Sequence, residues 1–269
     1  MSEILEILSY PFVIRALIAG SLISVCASVL GVILVLKHYS LIGHGLSEIG
    51  FASLSIASAL KIPAFVIAAP SVIIASFVIM FVSQKFKAAG DIAIAIASSF
   101  ALAFGIAVSS LTGGASSTSA YLFGSVLAVS QSDLIFSIIL SFIVILIFVI
   151  FYNRIFLITY NEDYARSLGI NTTLYQFIIS ILTALIVVSG MRITGTLLIS
   201  GVIILPAVTA KNLASGFKKL VIISGLVSFL AFIAGLIISF IFNIPAGAGV
   251  ILSNTAILIL IKIFKAYKK

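Results

Sequence analysis

Residues 160–169 read YNEDYARSLG, a compact polar stretch set between long runs of apolar sequence. Asn161 is a residue type that caps helix starts. Glu162 and Asp163 then fall in the first turn, where the helix dipole favours acids, and Gly169 can close the helix in a left-handed conformation. Glu162 and Arg166 stand at i and i+4, the spacing of a helical ion pair. A helix of about eight residues spans only about 12 Å, far short of the roughly 30 Å hydrocarbon core. It therefore lies outside the membrane, as a docking surface for something soluble.

The surrounding sequence places the chain in a bilayer. Hydrophobic residues make up 62% and charged residues 8% of the 269, with a mean hydropathy of +1.39. These values define an integral membrane protein with a single transmembrane domain over residues 1–269. The net charge of +8 would suggest nucleic acid in a soluble protein. Here the basic residues fall between apolar runs and at the C-terminus, as cytoplasmic loops require, so nucleic acid is excluded as a partner. Cys26 is alone, cannot form an internal disulfide and reads as a small packed side chain. The N-terminus carries Glu3 and Glu6 rather than a basic region, so the first apolar run is read as a mature helix and not as a signal peptide.

Polar, Pro and Gly punctuation predicts about nine spans, near 12–36, 46–60, 63–83, 91–110, 133–151, 173–190, 195–210, 220–242 and 248–263, or eight if the first run does not cross. The segments at 46–60 and 195–210 are short for a perpendicular helix and are expected to be tilted, broken or shielded by neighbours. The runs are continuously apolar, unlike barrel strands, so the fold class is an all-α integral membrane protein, a helix bundle. With the N-terminus outside, Lys37, Lys85, Lys87, Arg154, Arg166, Lys211, Lys218, Lys219, Lys262, Lys265, Lys268 and Lys269 fall inside, against Arg15, Lys61 and Arg192 outside. That asymmetry puts the 160–169 helix in the cytoplasm. Residues 111–129, a Gly/Ser/Thr loop followed by a brief apolar piece, read as a re-entrant or surface helix at the outer face. Proline marks segment ends except at Pro206, where a kink is expected. Tyr10, Tyr39, Tyr121, Tyr152 and Tyr175 form the expected interfacial belt, in the absence of any Trp. No GxxxxGK[ST] pattern occurs, so any ATP chemistry must come from another chain.

His44 and Glu48 stand four apart and would share one helix face. An acid within a span costs about 2.5–3.5 kcal/mol near the bilayer centre and normally faces a partner, a water-filled cavity or a substrate route. An imidazole with a carboxylate suits Zn²⁺, Mn²⁺ or Fe²⁺, and two donors alone hold a cation transiently rather than trap it. The plainer readings are a headgroup histidine at His44 and a Glu48 paired with Lys or Arg of a neighbouring helix. His38 reads as interfacial, Asp91 and Asp133 as helix-start acids, and Arg192 as an exposed cation in a tight outer turn.

Four blocks carry a resemblance: GVILVLKHYSLIGHGLSEIGFAS (Gly31–Ser53), YLFGSVLAVSQSDL (Tyr121–Leu134), YNEDYARSLGI (Tyr160–Ile170) and GTLLISGVIILPAVTAKNLA (Gly195–Ala214). In this order and spacing they make the chain similar, over nearly its whole length, to the membrane permease of bacterial ABC importers for zinc, manganese and iron. The resemblance implies a homodimer in the cell membrane, a cytoplasmic ATP-binding subunit and an extracellular metal-binding protein. It also implies ATPase activity on the partner, no permanently bound cofactor, and a divalent metal ion as cargo. Asn161, Glu162, Asp163, Tyr164, Ala165, Arg166, Ser167, Leu168 and Gly169 match the family's coupling helix, which sits in a groove of the ATPase. The family's second span reads D-A-L-S-H-A where this chain has H-G-L-S-E-I, so His44 falls on the family's Asp and Glu48 on its His. Acid and imidazole both remain with their order exchanged, which leaves the identity of the metal open. A permease for an iron chelate or vitamin, and a stand-alone secondary transporter, are the alternative readings.

Overall fold

The computed structural model describes residues 10–85, 90–112, 121–125 and 129–267. Its helices, in chain order, are α1 (Pro11–Leu36), α2 (Ser40–Ala59), α3 (Ala64–Lys85), α4 (Gly90–Leu111), α5 (Gln131–Ile150), α6 (Tyr152–Tyr160), α7 (Glu162–Ser167), α8 (Thr172–Thr194), α9 (Ile199–Leu213), α10 (Phe217–Phe242) and α11 (Ala246–Tyr267). No strand occurs among the described residues, in line with the all-α expectation. Most of the outer element expected within residues 111–129 lies outside the described residues.

Among the described residues seven helices, α1, α3, α4, α5, α8, α10 and α11, are long and apolar enough to cross a membrane. The expected count of nine is therefore met only in part, because the segments at 46–60 and 195–210 form α2 and α9. α9 has 15 residues, about 22 Å of helix against a roughly 30 Å core. α2 has 20 residues and is long enough, but Ser, Gly, His and Glu dilute its apolar character. Both are shielded by protein: α2 lies against α3, α4, α8 and α9, and α9 lies against α1, α10 and α11.

Burial separates centre from rim. In α1 and α8, 72% of the membrane-length window is buried, against 22–28% in α3, α4, α5 and α11. The rim helices turn Ile74, Phe81, Ile96, Phe100, Phe142, Val149 and Leu260 outward, an apolar girdle suited to acyl chains. Serine hydroxyls cross-link the centre. Ser228 Oγ donates to the Ser24 carbonyl at 2.7 Å and Ser224 Oγ to that of Ser28 at 3.2 Å, joining α10 to α1. Ser76 and Ser180 hydroxyls meet at 2.6 Å between α3 and α8. Interhelical bonds of this kind substitute for the hydrophobic drive that lipid removes.

Proline does more than mark ends. Pro70 lies inside α3, as Pro206 does inside α9, because neighbouring helices can accommodate the freed backbone carbonyl within a bundle. Beyond α5 the chain breaks at Phe151 and continues as α6, a helix not anticipated from the sequence. α6 buries Ile155, Ile158 and Thr159. Its rings Tyr152 and Phe156 pack at a tilt around buried Phe217 at the start of α10, with centroids 5.6 and 5.3 Å away. A small satellite core of Ile158, Ala165 and Tyr175 then seats α7 against α6 and α8. Tyr175 is buried and takes a hydrogen bond from Arg154, so it is a packing residue and not part of an interfacial belt.

Candidate functional site

The helix expected from residue 46 begins at Ser40, which places His44 and Glu48 on one continuous α-helix with their side chains stacked a turn apart. His44 Nε2 lies 3.2 Å from Glu48 Oε1. The imidazole is 43% exposed and the carboxylate side chain only 7%, so one donor is accessible and the other is buried. Glu48 Oε2 is buried and makes no hydrogen bond among the described residues. No Lys or Arg pairs with Glu48 among them. A buried carboxylate oxygen without a donor is costly, and such a group needs an explanation such as a visiting cation. No cluster of three or more His, Cys, Asp or Glu occurs among the described residues, so this is a two-donor arrangement.

The YNEDYARSLG stretch folds much as its residues dictate. Asn161 Oδ1 accepts from the Tyr164 amide at 3.0 Å, Arg166 meets Glu162 at 3.3 Å, and Gly169 adopts φ +77° after the helix. The helix is six residues rather than about eight, since Leu168 already serves as its C-cap. Exposed apolar residues flank it: Tyr160 at the end of α6, Tyr164 on α7 and Leu168 at its C-cap are 67%, 54% and 54% exposed. Its inner face holds Ala165, fully buried, and Glu162. The Glu162 carboxylate accepts from Lys37 Nζ at 3.0 Å, linking α7 to the turn between α1 and α2. Burial pushes the Glu162 carboxyl up, but Lys37, a hydrogen bond from Gln176, and Arg166 together outweigh it and hold the group below its ordinary value of 4.5. The stabilisation from this pair is therefore complete above that ordinary value and is lost as pH falls through the lowered one.

At the opposite end of the bundle, Arg192 lies in the last turn of α8 and not in an exposed loop. It pairs with Asp133, which also closes a capping box with Ser130 at the start of α5. The helix-start reading of Asp133 holds, and the exposed-cation reading of Arg192 does not, because Asp133 draws the guanidinium in from solvent. Asp91 is the second residue of α4. Arg192→Ala would leave Asp133, 14% exposed, without its cation, and is expected to cost about 1–3 kcal/mol. A lowered thermal midpoint of the purified protein checks this. Beside the pair, the Thr196 and Leu197 amides donate to the Tyr121 and Leu122 carbonyls at 2.9 and 3.3 Å, lacing residues 121–125 to the α8–α9 turn.

A family profile described as the ABC 3 transport family matches residues 9–265. The chain belongs to the ABC 3 transport family. Among relatives, it is 30% identical to the manganese transport system membrane protein MntC of Listeria monocytogenes, over 96% of this chain and 92% of that one. It is also 30% identical to the manganese import system permease protein ScaB of Streptococcus gordonii, over 97% and 93%. The solved structure of PsaBC from Streptococcus pneumoniae in complex with Fab superposes with a TM-score of 0.87 at 26% identity, covering 97% of this chain and 94% of that chain. This ABC 3 member is a multi-pass membrane protein.

Within this ABC 3 chain, i, i+4 spacing alone pairs His44 with Glu48 and Glu162 with Arg166. It does not reveal Lys37–Glu162 or Arg192–Asp133, which join residues 125 and 59 positions apart. The one available signal for those is an excess of isolated charges at helix ends.

Proposed function

We propose that this chain is the permease subunit of an ATP-driven importer of divalent first-row metal ions, with manganese its principal cargo and zinc or iron within reach of the same donors. It forms the translocation path as a homodimer, coupled to a separate cytoplasmic ATPase and supplied by an extracellular metal-binding protein. The observation that carries this reading is similarity along nearly the whole chain to relatives named as manganese permeases. The likeness to PsaBC supports it further.

In this reading all nine segments cross, N-terminus outside, with α2 and α9 traversing within the protein. End-to-end contacts favour that topology. The C-terminal end of α9 meets that of α11 through Lys265 Nζ and the Asn212 carbonyl at 2.8 Å, while the start of α11 lies against the end of α8 at Gly247 and Thr194. α9 thus leads from one face toward the other. His44 and Glu48 line the path. Two donors 3.2 Å apart can bind one ion at about 2.1 Å each with an angle near 100°, between tetrahedral and octahedral values. The remaining positions stay with water, and the ion can leave.

The exposed apolar residues Tyr160, Tyr164 and Leu168 are the ATPase contact. Exposed aromatic residues at a cytoplasmic face are characteristic interface anchors, each worth more than about 1 kcal/mol when buried by a partner. Tyr164→Ala with Leu168→Ala is therefore expected to weaken capture of the ATPase by about tenfold or more, read by co-purification at limiting concentration. Undiminished capture would remove this surface from the reading.

A further inference from the structure

We propose that Lys37 is the residue through which α7 moves α2, and with it the His44–Glu48 pair. The inference rests on the proposed function and names a positioning residue within it. Lys37 is the C-cap of α1, and its side chain is 9% exposed, unusually buried for a lysine. Its partner Glu162 is the first residue of α7 and is held from three sides, by Lys37, by Arg166 on α7 and by Gln176 on α8.

The turn from Lys37 into α2 is short and tightly wound. The Tyr39 amide donates to the Leu34 carbonyl at 2.7 Å, His38 sits at φ +59°, and α2 starts at Ser40. His38 is thus the pivot of a compact turn, with its side chain exposed, as its interfacial reading expects. α7 itself packs on α6 and α8. The ion pair is its direct charged connection to the α1–α2 turn among the described residues. Lys37 is withdrawn from solvent while Glu162 is 29% exposed, so their attraction is stronger than between two fully exposed charges and the two ends move together. A stiff helix then carries a displacement of Lys37 to His44, seven residues on.

The test uses the permease assembled with its ATPase in proteoliposomes, with ATP hydrolysis and manganese uptake measured in the same vesicles. For Lys37→Met, hydrolysis is expected to continue while manganese imported per ATP falls about tenfold, the size of a lost pairwise coupling. For Lys37→Glu the loss is expected to be at least as large. The exchanged pair Lys37→Glu with Glu162→Lys is expected to recover uptake per ATP to within about threefold of wild type, the coupling a double-mutant cycle detects. A residue that only stabilised the fold would lower hydrolysis and uptake together and leave their ratio unchanged. An unchanged ratio in Lys37→Met, or an assembled exchanged pair that stays uncoupled, overturns the proposal. Should Lys37→Met fail to assemble, the exchanged pair alone decides. A wild-type complex that imports no manganese at all would instead overturn the proposed function.

Discussion

Glu48→Ala is expected to lower manganese uptake by about two orders of magnitude in a complex that still assembles and hydrolyses ATP. The size of the effect comes from ligand chemistry: losing even an outer-sphere partner of a metal site costs about 10–100-fold, and Glu48 would contribute a donor atom itself. His44→Ala should have the same sign with a smaller effect, since the exposed imidazole can be replaced by water more readily than the buried carboxylate. Glu48→Ala removes an unbonded buried oxygen together with the Oε1 contact to His44, and a thermal melt alongside the uptake assay separates function from folding. Two rival readings give other results. If Glu48 were only a structural acid, the variant would unfold or leave transport intact. A permease for a chelate or vitamin would keep its uptake, because such a cargo needs no protein donor.

Gly195→Ala is expected to destabilise the fold by about 3 kcal/mol or more, enough to prevent recovery of monodisperse protein. Gly195 has φ +89° and ψ 152°, a region that essentially only glycine adopts. Space is absent as well: a Cβ there would lie 2.4 Å from the Leu122 carbonyl oxygen. Gly124, at φ +77°, faces it with the same difficulty, 2.4 Å from the Ile193 carbonyl. The two backbones thus interlock where Tyr121–Ser125 crosses the α8–α9 turn. Size-exclusion profiles of Gly195→Ala and of a control such as Ser200→Ala, five residues on in the first turn of α9, distinguish local strain from general fragility.

How far the sequence reaches depends on the range of each interaction. α7 is legible because its cap, its i, i+4 pair and its terminal glycine are local devices within ten residues. Its true length is less so, since Leu168 caps it through backbone bonds that composition does not mark. The long rim helices are legible from continuous apolarity. α2 and α9 are legible as short segments shielded by neighbours, but the start of α2 at Ser40 is not, because hydropathy reports contact with lipid and its polar first turns are covered by protein. Tyr175 misleads for the same reason: a tyrosine near a span end resembles a belt residue, yet Arg154 and the satellite core claim it. His44 and Glu48 are found by period, but nothing in their spacing says that one carboxylate oxygen lies buried without a partner. The Lys37–Glu162 link, across 125 positions, depends wholly on the tertiary fold.

Above all, the membrane subunit is expected to move metal only when a separate ATPase drives it. The most direct measurement is ⁵⁴Mn²⁺ accumulation in proteoliposomes containing this chain alone under an imposed ion gradient, against vesicles containing the chain with its ATPase and ATP. Concentrative uptake confined to the second set is the predicted result. Accumulation by the chain alone would contradict it.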